Sequence, residues 1–167
     1  LFSARVVHHV LLVAVAAPLL ACGGARPPWP PALPFTLATA ALWLWHLPPA
    51  YDLALGNTAV YWLMQATLLA TATAFWASVL HPSQRAGVAL LATLGALVQM
   101  ALLGALLTFA PQGLYAIHAT APLAFGLTPL ADQQLGGLIM WIPAGIPYLV
   151  LIGLLGRRHW RGLAGPA

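Results

Sequence analysis

Five long apolar runs dominate this sequence and restrict the folds that it can adopt. A helix needs about 20 predominantly apolar residues to cross the hydrocarbon core of a bilayer. Charged residues make up only 5% of the chain, against about 25% in an ordinary soluble domain. We therefore predict an all-α membrane protein, a single domain over residues 1–167 with about five transmembrane helices. The predicted spans are residues 3–21, 33–47, 58–80, 87–110 and 133–156.

Prolines set the limits of two of these spans. Pro48 and Pro49 should end the second span, because the residue before a proline is driven out of helical geometry. Pro143 and Pro147 remove backbone donors inside the fifth span, so we expect a kink there. The second span is therefore short, and the fifth is interrupted.

The arginines predict how the helices are oriented. With five crossings, five of the six arginines fall on the side of the C-terminal tail. The positive-inside rule makes that side cytoplasmic and places the N-terminus outside. The +4 net charge is spread over loops without a basic block, so nucleic acid is not an expected partner. The arginines on the tail side are Arg26, Arg85, Arg157, Arg158 and Arg161.

The other ionisable groups are predicted to gather at the opposite, outer end. Both acidic residues of the chain and four of its six histidines fall at outer helix ends or in outer loops. Polar groups in a membrane protein are costly, so such a group is a functional hypothesis by default. The residues are Asp52, Asp132, His8, His9, His46 and His118.

His46 stands in the stretch LWLWHLPPAYD, directly after Trp45 and close to Trp43. An imidazole in the last turn of a helix can bind a metal ion or a haem. Alternatively, His46 belongs with Trp43 and Trp45 to an aromatic belt at the membrane interface. His8 and His9 point about 100° apart on a helix, so at most one of them faces the interior of the bundle.

Asp132 precedes the fifth span, where its carboxylate can accept hydrogen bonds from the first free amides as an N-cap. Three methionines, Met64, Met100 and Met140, lie on three different spans at similar depth. Thioethers are soft ligands that select Cu(I), although gap-filling in the core is the alternative interpretation. Cys22 is the only cysteine, which rules out an intramolecular disulfide.

Five segments resemble, in this order, those of the bacterial CtaG-type cytochrome c oxidase assembly factors. The resemblance covers nearly the whole chain, and the block DQQLGGLIMW is its most specific part. Family members commonly have further helices before the first segment, so this chain resembles a short version of the family. The segments are FSARVVHHVLLVAVAAPLL, LWHLPPAYDLAL, AVYWLMQATLLATATAFW, LLGALLTFAPQGLY and PLADQQLGGLIMWIP.

The first of these segments typically reads His-Met-x-x-His-Met in the family. Here His9 matches the second histidine, Arg5 replaces the first, and His8 stands where glutamine is usual. Gln65 stands where many members have a histidine. The remaining positions that match the family pattern are His46, Asp52, Asp132, Gln133 and Met140.

The resemblance implies a non-enzymatic assembly factor in the bacterial plasma membrane that helps to build a haem-copper oxidase, with an oxidase subunit as its partner. We expect an outward-facing cluster that either holds copper transiently for delivery or docks the oxidase subunit, and we leave open whether the protein forms a homo-oligomer. Asp52 and Asp132 would act as ligands or would orient an imidazole N–H. The predicted metal-site residues are His9, His46, Asp52, Asp132 and Met140.

Two other functions compete with this expectation. A small b-type cytochrome would use His9 and His46 as axial haem ligands on facing helices, although no deeper pair of histidines exists for electron transfer across the bilayer. A transporter fragment is less favoured, because neither an inverted repeat nor a charged residue at the midplane is apparent.

Overall fold

The computed structural model describes residues 1–24 and 29–163, and Arg26 of the predicted cytoplasmic loop lies outside them. All regular structure in the described residues is helical, which confirms the all-α prediction. The eight α-helices are α1 (Phe2–Leu11), α2 (Ala17–Gly23), α3 (Ala32–His46), α4 (Pro48–Gly56), α5 (Thr58–Val79), α6 (Ala86–Phe109), α7 (Pro129–Trp141) and α8 (Ile146–Leu163).

Helices α1 and α2 form one continuous helical segment that is joined by a π-helical turn, Leu12–Ala16. A π-turn widens the helix by one residue and interrupts its regular ladder of hydrogen bonds. The Trp76 indole of α5 donates to the Val13 carbonyl in this turn, at 2.8 Å. This bond fixes the first helical segment against α5 one turn beyond His9.

The prolines act as predicted around α3. The helix ends at His46, and Leu47 adopts an extended conformation with ψ of 126° before Pro48. The 15 residues of α3 span about 22 Å, less than the roughly 30 Å of a hydrocarbon core. Pro48 and Pro49 then start α4, a short helix that the sequence pattern did not predict.

Helix α5 begins after Asn57, whose side-chain oxygen accepts hydrogen bonds from the amides of Ala59 and Val60. Two short 3₁₀ turns, Ala116–His118 and Ala121–Phe125, connect α6 to α7. A third, Pro143–Gly145, separates α7 from α8, so the expected interruption of the fifth span occurs at Pro143. Pro147 lies in the first turn of α8, where a missing donor matters least.

Three helical segments among the described residues are long and apolar enough to cross a membrane. They are Phe2–Gly23, Ala86–Phe109 and Pro129–Arg161. The chain is therefore a helical protein of membrane type. Neither α3 nor α5 is among these three segments.

Glycines allow α7 to lie against both α6 and α1. A Cβ atom on Gly104 of α6 would lie 2.9 Å from the Gly137 carbonyl of α7. A Cβ atom on Gly136 would lie 2.6 Å from the Phe2 ring of α1. Neither position has space for a side chain, as in other closely packed membrane helices. Helix α7 consequently sets the position of α1, which carries His9.

Candidate metal site

His9 of α1 and His46 of α3 face each other inside the bundle. Their ring centroids are 5.3 Å apart, and the two rings make an angle of 78°. His9 is 7% exposed, whereas its neighbour His8 is exposed. The expectation that only one of the two consecutive histidines faces the interior is therefore confirmed.

The hydrogen bond of His46 assigns its tautomer. Its Nδ1 lies 2.7 Å from the Leu42 carbonyl oxygen one turn earlier. Because a carbonyl oxygen can only accept, Nδ1 carries the proton. In the neutral imidazole this leaves a free lone pair on Nε2. Backbone support on one ring nitrogen is the usual way to orient a histidine that binds a metal through the other.

His9 contains a buried polar atom that lacks a protein partner. Its Nε2 has no hydrogen-bond partner among the described residues. Leaving a buried donor or acceptor unpaired costs about 1–3 kcal/mol. Buried polar side chains are mostly paired in folded proteins, so each exception calls for an explanation such as an ion or a water molecule. His9 is thus one of the few buried side chains among the described residues with an unpaired polar atom.

A small cavity adjoins the two histidines on the side of the α1 N-terminus; we call it the outer cavity, after the predicted outer end of the bundle. The volume in which the centre of a water-sized sphere fits is about 40 Å³. A single water molecule needs about 10–15 Å³ by the same measure. Met64 of α5, buried at 6% exposure, lines this cavity beside His9 and His46. Two imidazoles and one thioether therefore border the same space.

Polar side chains line the rim of the outer cavity. Gln65 donates to the Tyr61 hydroxyl at 2.9 Å and lies 3.2 Å from His8 Nδ1. The Arg5 guanidinium lies over the Tyr61 ring, 5.5 Å from its centroid. Gln65 is thus held at the cavity rim by neighbouring residues.

Asp132 caps a different helix from the one that the sequence predicted. It is fully buried and accepts hydrogen bonds from the Phe2 amide at 2.5 Å, the Ser3 amide at 3.2 Å and the Ser3 hydroxyl at 2.5 Å. Its own helix is capped instead by Thr128, whose hydroxyl accepts from the Ala131 amide. The N-cap prediction was therefore wrong about the helix: Asp132 caps α1. A carboxylate is favourable there because of the helix dipole.

Met140 and Gln133 are both fully or almost fully buried in α7. Gln133 accepts from the Leu114 amide at 2.6 Å and donates to the Leu107 carbonyl at 3.2 Å, so it joins α7 to the end of α6 and the loop that follows. Met140 lines neither of the two cavities that His9 borders. The second of these cavities lies deeper in the bundle and is lined by Met100.

An aromatic group, which we call the outer aromatic cluster, covers the start of α1. Phe2 stacks on Tyr115 with centroids 4.8 Å apart, and the Tyr51 hydroxyl lies 3.0 Å from His118 Nε2. The Tyr115 hydroxyl donates to the His46 backbone carbonyl at 2.9 Å. The cluster of Phe2, Tyr51, Tyr115 and His118 thus joins the helix that carries His9 to the end of the helix that carries His46.

Burial controls the ionisation of this cluster. It raises the pKa of Tyr51 and of Tyr115, so both hydroxyls remain donors. Burial also lowers the pKa of His118, so its neutral ring can accept a hydrogen bond from the Tyr51 hydroxyl. Asp52, whose charge also raises the pKa of Tyr115, has one buried carboxylate oxygen without a hydrogen-bond partner among the described residues.

The five predicted ligands do not gather at a single point. His9 and His46 are in contact, and Asp132 lies about two turns from His9 at the start of α1. Asp52 lies in α4 beside the outer aromatic cluster, and Met140 lines neither cavity that His9 borders. Within the described residues, no group of three or more His, Cys, Asp or Glu side chains could hold a metal ion. Met64 borders the histidine pair although it was not among the predicted ligands. Its position in the sequence indicates its depth in the bundle but not that it faces the histidines.

Comparison with known proteins identifies a family. The sequence model of the cytochrome c oxidase caa3 assembly factor family (Caa3_CtaG) matches residues 28–162. This range includes His46, Asp52, Asp132 and Met140 but begins after α1 and His9. No curated protein and no solved structure matches the chain. Because the family model covers most of the sequence, the chain belongs to the cytochrome c oxidase caa3 assembly factor family.

Proposed function

We propose that this protein carries Cu(I) as cargo for assembly of the oxidase and holds the ion between His9, His46 and Met64. The observation that supports this most is the buried Nε2 of His9, which has no hydrogen-bond partner among the described residues. The ring centroid of His46 lies 5.3 Å from that of His9. In this proposal the ion is handed on rather than kept. Its site should therefore be open and modest in affinity, since a closed cage would not release the ion.

The donor set suits this metal. Thioethers and neutral imidazoles are ligands that Cu(I) accepts, whereas hard cations prefer carboxylates and water. A metal–nitrogen bond of about 2 Å, plus roughly 1 Å from the nitrogen to the ring centre, would place two bent imidazole ligands with their centroids about 5 Å apart. The spacing of the pair is compatible with one shared ion.

Met64 takes the place that was predicted for Met140, because Met64 lines the cavity. Asp132 acts indirectly, by fixing the start of α1 and hence the height of His9. Tyr115 fixes the backbone of His46 in the same indirect way. Asp52 stays a candidate for orienting an imidazole N–H at the outer end of the bundle.

The haem alternative fits the same pair less well. Two imidazoles on opposite faces of a haem would lie with centroids about 6 Å apart by the same bond lengths, and the macrocycle would have to fit between them. The space beside the pair is about 40 Å³ for the centre of a water-sized sphere, room for about three or four waters. The dimensions therefore favour a single ion.

We further propose five crossings in the bacterial plasma membrane: α1–α2, α3, α5, α6 and α7–α8. The histidine pair would then open to the outside, and Arg85, Arg157 and Arg158 would lie in the cytoplasm. A cytochrome c oxidase subunit is the proposed recipient of the ion. Tags at the two chain ends should react on opposite sides of the membrane, and reaction on the same side would contradict this topology.

The function is tested in cells that lack the protein and are complemented with variants. Met64→Leu and Met140→Leu make a matched pair, because each replaces one buried thioether with a side chain of similar size. We expect the oxidase from cells with His9→Ala/His46→Ala to lack copper but retain haem, and the oxidase from cells with Met64→Leu to contain less copper than the wild-type oxidase. Met140→Leu should behave like wild type. Normal copper content with the histidine double variant would contradict the proposal.

A further inference from the structure

A second groove lies at the opposite end of the bundle, where α6 begins and α8 ends. Helices α6 and α8 are in contact. The His159 ring rests on Gly87, where a Cβ atom would lie 3.3 Å from its Cε1 atom. Arg158 donates to the Pro82 carbonyl at 2.8 Å. The end of α8 is therefore held against the loop that precedes α6.

The groove has one cationic side and one apolar side. Arg85, Arg158 and His159 line it together with Val88 and Leu91, and its volume is about 700 Å³. Leu91 is 70% exposed, so its side chain offers an apolar surface next to the charges. A ligand that fits this surface carries negative charge at one end and an apolar chain at the other.

The acidic side chains of this chain lie away from the groove. The sequence has only two acidic residues, Asp52 and Asp132. Asp132 is engaged with the start of α1, and Asp52 lies in α4, next to the outer aromatic cluster. Guanidinium groups stay charged at any physiological pH and bind phosphate oxygens in a bidentate manner. Arg85 and Arg158 thus have no acidic side chain of this chain to pair with.

We propose that this groove binds an anionic phospholipid. The phosphate lies between Arg85 and Arg158, and an acyl chain follows Val88 and Leu91 toward the middle of the membrane. Basic pockets between membrane helices are known to take headgroups of this kind. The bound lipid joins the start of α6 to the end of α8. This inference concerns a different end of the molecule from the histidine pair and does not depend on copper.

Charge-matched variants separate a specific site from general attraction to an anionic surface. Arg85→Gln/Arg158→Gln removes two charges from the groove, whereas Arg157→Gln/Arg161→Gln removes two from the same end outside it. Each protein is placed in nanodiscs that contain equal amounts of phosphatidylglycerol and phosphatidylcholine. Lipid that stays bound after transfer to detergent is counted by native mass spectrometry.

We expect wild type and Arg157→Gln/Arg161→Gln to retain phosphatidylglycerol in preference to phosphatidylcholine. In Arg85→Gln/Arg158→Gln the amount of retained phosphatidylglycerol should fall at least about tenfold. Equal losses in the two double variants would overturn the proposal, because they would indicate diffuse attraction. Equal retention of the two lipids by wild type would overturn it as well.

A competition on wild type alone tests the class of ligand and needs no variant to fold. Soluble glycerol phosphate has the phosphate but lacks the acyl chains. We expect millimolar glycerol phosphate to leave the bound phosphatidylglycerol in place. Complete displacement would show that the groove takes soluble phosphates, and the lipid proposal would then be wrong.

Discussion

Two buried polar groups, the Asp132 carboxylate and the His9 ring, lie against the first helix or on it. They differ in whether their polar atoms have hydrogen-bond partners. Asp132, at the start of α1, accepts three hydrogen bonds. His9, about 10 Å further along the same helix, has a ring nitrogen without any partner among the described residues. A fully paired buried carboxylate stabilises a fold, whereas an unpaired imidazole costs stability and can be kept for binding. The same helix thus has an anchor at one point and a binding group at another.

Removing the anchor should have the largest effect. Asp132→Ala leaves the Phe2 and Ser3 amides and the Ser3 hydroxyl without their acceptor. Hydrogen bonds to a charged group contribute about 1.5–3 kcal/mol each, so we expect a loss of about 3 kcal/mol or more in the free energy of unfolding. Thermal unfolding in detergent measures it. Unchanged stability would mean that α1 is held in place by its apolar contacts alone.

Tyr115→Phe should have a smaller effect. It removes the hydroxyl that donates to the His46 backbone carbonyl and keeps the ring that stacks on Phe2. We expect a loss of about 1 kcal/mol, the usual contribution of one neutral hydrogen bond. Tyr115→Phe should also weaken metal binding. An unchanged metal affinity in this variant would show that Tyr115 does not position His46 for the metal.

The outer aromatic cluster should weaken in acid. Burial is the main cause that lowers the pKa of His118 in the folded protein, and Arg5 acts in the same direction while Asp132 and Asp52 oppose it. The unfolded chain therefore binds a proton at His118 more readily, so stability falls as the pH drops through and below about 6.5. His118→Gln should reduce this dependence. An identical pH profile for the variant would contradict the assignment.

His9→Leu should change stability least, and it sharpens the contrast with Asp132. The substitution replaces an unpaired buried imidazole with an apolar side chain of similar size. We expect a change within about 1 kcal/mol, because the lost packing is offset by removal of the unpaired polar atom. A loss as large as that of Asp132→Ala would show that His9 is a structural residue.

The sequence predicts the local features of this fold well. Thr58–Val79 and Ala86–Phe109 begin and end within one residue of the predicted spans, because turn residues and apolar content mark their ends. The end of α3 follows from Pro48. In contrast, α4 was not predicted, since its two prolines look like an ordinary break and only the following turns make them the start of a helix.

The arrangement between helices was harder to predict. Asp132 caps a helix that starts 130 residues earlier, and local spacing gives no signal of such a pair. Met64 and Met140 are predicted at similar depths in the membrane, but the rotation of each helix decides which one faces His9. The resemblance to the family identified His46 and His9 as site residues without showing that their rings would meet.

Titration of the purified protein with Cu(I) against a competing chelator tests the central claim most directly. Wild type should bind about one ion per chain, and His9→Leu/His46→Leu should bind none at the same chelator concentration. Met64→Leu should bind at least about tenfold more weakly, a difference of about 1.4 kcal/mol, while Met140→Leu should match wild type. Equal uptake of Cu(I) by wild type and the histidine double variant would contradict the account.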